Sequence, residues 1–338
     1  MAEVQAGPVR ICIFGGGAIG GLIAAKLSGQ PGVEVSIVAR GEQLAAIRAN
    51  GLELHSPTGD VRCAVRATDD PAELGPQDYL FITLKSHQVL PALPQLHSLI
   101  GPQTAILPPT TGIPYWYFHG LDGTPQQTIE RLDPGGALWD ALPASQVLGV
   151  VYWFACEAVR PGVIHHDGSS VRMPVGEPDG TMSERVRTLS NLLCAAGFDS
   201  PAVDNVRAWI WIKMISSLAW NPVAVLTRAT LGEMIASPRI LGMVERMMAE
   251  ADAVAARLGA PAPMSVDERV GIARNAAGHK MSMLQDVERG RPLELDVLVD
   301  SIEAMRDIAG IPTPTIDDIY ALMKLHVASG LRDGWLRA

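Results

Sequence analysis

Two patterns of apolar and polar positions divide this chain. Through the first half, short apolar runs alternate with helix-forming stretches, as in parallel strands joined by helices. A strand at Ile11–Phe14 leads into a helical run from Leu22 to Leu27. A second strand, Val33–Val38, precedes a helix over Glu42–Ala49 that Asn50-Gly51 closes. Leu52–His55 and Val61–Val65 read as short strands joined by the turn Ser56-Pro57-Thr58-Gly59-Asp60. Tyr79–Leu84 and Thr104–Leu107 have the continuous apolar character of buried strands, ending at Lys85-Ser86 and at Pro108-Pro109-Thr110-Thr111-Gly112. Residues 113–146 are irregular, with an aromatic run Tyr115-Trp116-Tyr117-Phe118, and read as an insertion or covering loop. Strands return at Leu148–Cys156 and Gly162–Met173, and from Ser183 onward the pattern is helical without repeats. The expectation is an α/β chain: a parallel-sheet domain over 1–203, then an all-α domain over 204–338, the change falling near Asp199–Asn205.

Length supports the division, because 338 residues exceed what one hydrophobic core accommodates. A net charge of −9 argues against nonspecific nucleic-acid binding and against an anionic membrane surface. No uninterrupted apolar run approaches the ~18 residues of a membrane span. Glu3 and Gln5 precede the first strand without a signal-peptide apolar region, so the expected location is the cytoplasm. Cys12, Cys63, Cys156 and Cys194 are scattered and read as reduced core thiols. His165-His166 is the one histidine cluster, and adjacent strand positions face opposite ways, so no metal site is expected.

The most informative stretch is Ile11-Cys12-Ile13-Phe14-Gly15-Gly16-Gly17-Ala18-Ile19-Gly20, an apolar strand running into G-x-G-x-x-G and then a helix. Gly15 permits the tight turn, Gly17 admits a pyrophosphate close to the backbone, and Gly20 allows close helix packing. The helix N-terminus would present unpaired N–H groups to the phosphates. The first domain is therefore expected to be of Rossmann type. Arg40 lies at the end of the second strand, where a dinucleotide's ribose arrives. An acidic residue there would suit the 2′-hydroxyl of NAD, whereas Arg suits the 2′-phosphate of NADP(H). The alternative for Arg40 is a solvated surface side chain.

In Arg207–Pro222, Lys213 interrupts an apolar helix, and Ser217 and Asn221 follow at i+4 and i+8 on the same face. Polar groups on such a helix are costly without polar partners, although a snorkelling Lys is the plainer alternative. Pro222 is expected to kink the helix near Asn221. Farther on, one helix ends at Gly290 and another begins near Pro292 and runs to Ala309, with Glu294 in its first turn. Dipole complementarity alone would account for Glu294.

The chain resembles the ketopantoate reductase (2-dehydropantoate 2-reductase) family over nearly its whole length. The resemblance rests on GGGAIG, VARG with Arg40, TLKSHQ with Lys85, WIKM…NP with Lys213 and Asn221, and SMLQDVERGRPLELD with Ser282 and Glu294. It implies a Rossmann domain and a helical domain with the active site between them. The implied activity is NADPH-dependent reduction of a branched 2-oxo acid on the route to pantothenate. By position it makes Lys213 the general acid, with Glu294 holding it. Ser217, Asn221 and Ser282 would bind substrate. Lys85 would lie beside the nicotinamide ribose, Thr111 at the cofactor, and Ala155 where backbone meets the nicotinamide amide. The small 2-oxo acid is the expected partner, and the helices near Trp209 and after Gly290 could form a homodimer.

Three positions depart from the family. Thr111, Ser217 and Leu231 stand where the family carries Asn, replacing an acceptor and two donors by a hydroxyl or an apolar chain. This keeps open a reductase of another 2-oxo acid or related carbonyl compound. A non-catalytic NADP(H)-binding redox sensor is a further reading, disfavoured because a sensor needs no proton donor. The run Tyr115–Phe118 could line an apolar pocket, or serve as lid or dimer contact.

Overall fold

The computed structural model describes residues 7–121, 128–168, 171–291 and 293–336. The chain forms two compact units, residues 1–110 with 114–206, and residues 111–113 with 207–338.

The first unit is built on a parallel sheet. Its strands are β1 (Val9–Phe14), β2 (Val33–Val38), β3 (Leu52–His55), β4 (Val61–Cys63), β5 (Arg66–Thr68), β6 (Tyr79–Ile82), β7 (Ala105–Leu107), β8 (Gly149–Val150), β9 (Cys156–Arg160), β10 (Val163–His166) and β11 (Val175–Gly176). Five of them form the main sheet in the order β5-β2-β1-β6-β7, with every pair parallel. Ile11 lies opposite both Val35 and Tyr79, so β1 is central and is apolar on both faces. The strand order reverses between β1 and β6, and ligands of open parallel sheets bind at the carboxyl ends beside such a reversal.

The helices of this unit are α1 (Ala18–Leu27), α2 (Gly41–Asn50), α3 (Ser86–Leu96), α4 (Ala137–Ala141) and α5 (Glu184–Ala195). A second, mixed sheet has the order β4-β3-β10-β9. α1 touches both sheets, which explains why it is apolar nearly all round. A Cβ at Gly21 would stand 2.6 Å from Ile164 Cδ1, so this glycine sets the approach of α1 to β10.

The second unit is helical: α6 (Val206–Thr227), α7 (Leu231–Ala236), α8 (Pro238–Arg257), α9 (Val266–Arg274), α10 (Ser282–Glu288), α11 (Leu295–Ala309) and α12 (Pro314–Asp333). α8 buries Val244, Met247, Met248, Ala251, Val254 and Ala255 along one stripe and packs against α7, α9, α11 and α12.

Several expectations change. The strand expected over Val61–Val65 stops at Cys63, where its hairpin with β3 ends, and the chain then joins the main sheet as β5. Of the run Leu148–Cys156, Gly149–Val150 pairs as β8 and Cys156 opens β9, while the residues between them belong to no strand, and β10 ends at His166. Tyr115, Trp116, Tyr117 and Phe118 are buried in the first unit, and Tyr115 Oη donates to Leu142 O at 2.7 Å. These rings are buried, which leaves them no exposed face for a lid or a dimer contact. Cys194 is exposed on α5 and is not a core thiol. His165 is exposed and His166 buried, as alternate strand positions require. α6 is long and apolar enough to cross a membrane, although polar positions interrupt its apolar run; most of it is buried. Pro292 lies outside the described residues; α11 begins at Leu295, so Glu294 is its N-cap and not part of its first turn.

Candidate active site

The glycine turn is shaped by what the residues lack. Gly15 sits at φ +126°, a conformation strained for any side chain, and its N–H donates to Val38 O at 3.0 Å. A Cβ at Gly20 would collide with the Gly15 carbonyl oxygen. Gly17, by contrast, has nothing within 4 Å of where its Cβ would stand. It is also the N-cap of α1 and offers no side-chain cap. The N–H groups of Ala18, Ile19 and Gly20 at the start of α1 therefore have no intrahelical acceptors. Open space in front of uncapped N–H groups suits a pyrophosphate.

Two side chains that local sequence patterns do not flag hold this turn. Thr83 Oγ1 donates to Gly15 O at 2.8 Å, and Gln43 Nε2 donates to Gly16 O at 2.5 Å. Arg40 is exposed at the N-cap of α2, whose first turn has no side-chain cap. Among the described residues no carboxylate pairs with its guanidinium. An exposed guanidinium and an uncapped helix start fit a 2′-phosphate. Lys85, the N-cap of α3, and Ala155, just before β9, are both exposed.

The second unit gathers the polar row of α6. Lys213 and Ser217 are half-buried, and Asn221 is buried. Asn221 Oδ1 accepts from Met283 N at 3.1 Å, so its amide is spent partly on the start of α10. That bond fixes the neighbouring Ser282, which is exposed at the first position of α10. α6 continues through Pro222 to Thr227. Pro222 has no N–H to offer the Leu218 carbonyl one turn earlier. Tyr320 Oη donates to Leu218 O at 3.3 Å and takes the place of that donor.

Burial lowers the Lys213 ammonium from its usual range to about 8, against the raising influence of the Glu294 carboxylate. Glu294 Oε1 is buried without a hydrogen-bond partner among the described residues. A desolvated ammonium held close to neutrality beside a carboxylate can deliver a proton at ordinary pH.

Thr111 is half-buried and belongs to this second unit, as do Gly112 and Ile113. Ile113 N donates to the fully buried Ser301 Oγ at 2.9 Å. A Cβ at Gly112 would collide with that same hydroxyl, so glycine is needed for the turn to seat on α11. Leu231 is buried at the first position of α7, and its N–H donates to His279 O at 3.0 Å.

The sequence models of the family described as "Ketopantoate reductase PanE/ApbA" and "Ketopantoate reductase PanE/ApbA C terminal" match residues 11–113 and 205–327. A 2-dehydropantoate 2-reductase of Mesorhizobium japonicum is 42% identical over 317 residues, covering 94% of this chain and 97% of that protein. A putative ketopantoate reductase from Ralstonia solanacearum superposes with a TM-score of 0.86 at 36% identity, covering 95% of this chain and 98% of that one. A ternary structure of D-mandelate dehydrogenase with NADH and anilino(oxo)acetate superposes with a TM-score of 0.78 at 19% identity, over 95% of this chain and 99% of that one, a likeness of fold. With both halves matched and a close relative aligned nearly end to end, the chain belongs to the ketopantoate reductase family of oxidoreductases.

Proposed function

We propose that this protein reduces a 2-oxo acid to the 2-hydroxy acid with NADPH in the cytoplasm, and that the acid is 2-dehydropantoate, giving pantoate. The observation that carries the reading is Lys213, an ammonium brought to about 8 by burial, with Glu294 opposing the shift. Bound NADPH would supply a hydride to the carbonyl carbon. Lys213 Nζ would stabilise the charge that grows on the carbonyl oxygen and donate the proton to it. Glu294 would keep Lys213 protonated in the resting site. Ser217, Ser282 and the Asn221 amide group would orient the substrate's hydroxyl and carboxylate. The N-terminus of α1 and Gly17 would take the pyrophosphate, Arg40 the 2′-phosphate, and Lys85, Thr111 and the Ala155 backbone the nicotinamide end.

A second reading keeps the chemistry and changes the acid. Thr111, Ser217 and Leu231 offer hydroxyl or apolar groups where the family carries amides, and Leu231 is buried. A less polar site favours a substrate with fewer hydroxyls. The aryl 2-oxo compound bound by the dehydrogenase of similar fold makes aryl 2-oxo acids the natural competitors. The test is NADPH oxidation, read by absorbance, against 2-dehydropantoate and a panel of alkyl and aryl 2-oxo acids. Preferential turnover of 2-dehydropantoate is expected. Higher kcat/KM on an aryl acid supports the second reading, and turnover of none refutes both.

A further inference from the structure

Gln43 lies in the first turn of α2, three residues after Arg40. Its side chain uses both ends of the amide. Nε2 donates to Gly16 O at 2.5 Å, and Oε1 accepts from Gly162 N at 3.0 Å. Gly16 is buried, and a Cβ there would stand 2.9 Å from Ala39 Cβ and 3.2 Å from Gln43 Cγ. Gly162, at φ +77°, forms the turn between β9 and β10, and its carbonyl accepts from Glu53 N at 2.9 Å. One side chain thus joins the glycine turn, the helix that begins at Arg40, and the second sheet.

The cofactor reading above assigns the 2′-phosphate to the start of α2 and the pyrophosphate to the glycine turn. These are two anion sites on separate pieces of backbone. A ligand carrying both anionic groups gains from binding the second only if the sites are held at the spacing it spans. We propose that Gln43 is a positioning residue that fixes the distance between the two phosphate sites, and so sets affinity for the whole dinucleotide without touching it. The inference rests on that cofactor reading. A neutral amide suits this role, because its N–H faces a carbonyl, its C=O faces an N–H, and it adds no charge beside the phosphates.

The test compares NADPH with 2′-AMP, which carries the adenosine and 2′-phosphate but no pyrophosphate. Dissociation constants are measured by calorimetry for the wild type, Gln43→Met and Gln43→Glu. In Gln43→Met, NADPH should weaken by about ten-fold or more, the scale of losing a buried amide bond, while 2′-AMP stays within about two-fold. At saturating NADPH, kcat should be unchanged. Gln43→Glu keeps the acceptor for Gly162 N but has no donor for Gly16 O, so it should lose at least as much NADPH affinity as the Met variant. If the Glu variant binds NADPH like wild type, only the bond to Gly162 matters, and the proposal fails. Equal weakening of NADPH and 2′-AMP also overturns it, because α2 itself would then have moved. A Met variant that does not fold leaves the Glu variant to decide. Wild type that binds neither compound overturns the cofactor reading, and the proposal with it.

Discussion

The two units prepare for charge in opposite ways. The first does so by omission: Gly17 has no Cβ, α1 and α2 have no side-chain caps, and Arg40 has no carboxylate partner among the described residues. The second does so by burial, placing an ammonium on an apolar helix and holding it near neutrality. An anion site built from free N–H groups costs the fold little, because water satisfies those groups until a ligand arrives. A proton donor built by desolvation costs stability continuously. Binding and chemistry should therefore respond differently to substitution.

The largest effect is expected at Lys213. Lys213→Ala should lower kcat/KM by about a thousand-fold, within the range for a general acid, while the NADPH dissociation constant is unchanged. A variant that retains turnover would remove Lys213 from the chemistry. Arg40→Asp should invert the contrast, weakening NADPH by roughly a hundred-fold through loss of a charge-assisted pair, with NADH gaining relative to it. Dissociation constants for both cofactors decide this, and an unchanged ratio would mean that another group reads the 2′-phosphate.

The two glycines divide packing from binding. Gly20→Ala puts a methyl into the Gly15 carbonyl and should lower stability by about 2 kcal/mol or more, as overpacking does. Gly17→Ala meets open space and should leave Tm nearly unchanged while weakening cofactor binding. Equal Tm losses would break the distinction.

The pH profile follows from the burial of Lys213. Its ammonium is protonated below about 8, so kcat/KM for reduction should fall as pH rises through that value. The reverse oxidation needs the neutral amine and should rise through the same range. Glu294 raises the Lys213 value, so Glu294→Gln should move both midpoints to lower pH. Midpoints that stay fixed would exclude the pair as the titrating unit. The smallest effect is expected from Tyr320→Phe, which orphans the Leu218 carbonyl beneath Pro222 and should cost about 1 kcal/mol in thermal unfolding.

The same contrast explains how much of the molecule is legible in its sequence. The glycine turn is legible because its parts are neighbours in sequence: a strand, three spaced glycines and a helix start. Lys213, Ser217 and Asn221 are legible as a row because helical spacing is also local. Glu294 and Ser282 carry no local signal and come only through the family motifs, and Glu294 sits one position outside the helix expected to contain it. Thr83 and Gln43 escape notice because a polar residue at a strand end or in a first helical turn is ordinary in sequence. Their bonds reach 68 and 27 residues along the chain. β5 escapes because Arg66-Ala67-Thr68 is short and polar, and only its register with β2 makes it a strand. The aromatic run misleads for the converse reason: an irregular segment looks superficial, yet these rings are buried.

The seat of Thr111–Ile113 on α11 bears on how the protein can be dissected. A fragment cut at Arg207 would leave the buried Ser301 hydroxyl without the Ile113 N–H and would uncover Val297, because Thr111–Ile113 lie upstream of the cut. The helical unit is in that sense a split protein, closed by a short peptide borrowed from upstream. A fragment spanning 207–338 should be rescued in trans by a peptide containing Thr111-Gly112-Ile113, and a version with Ala in place of Gly112 should fail to do so.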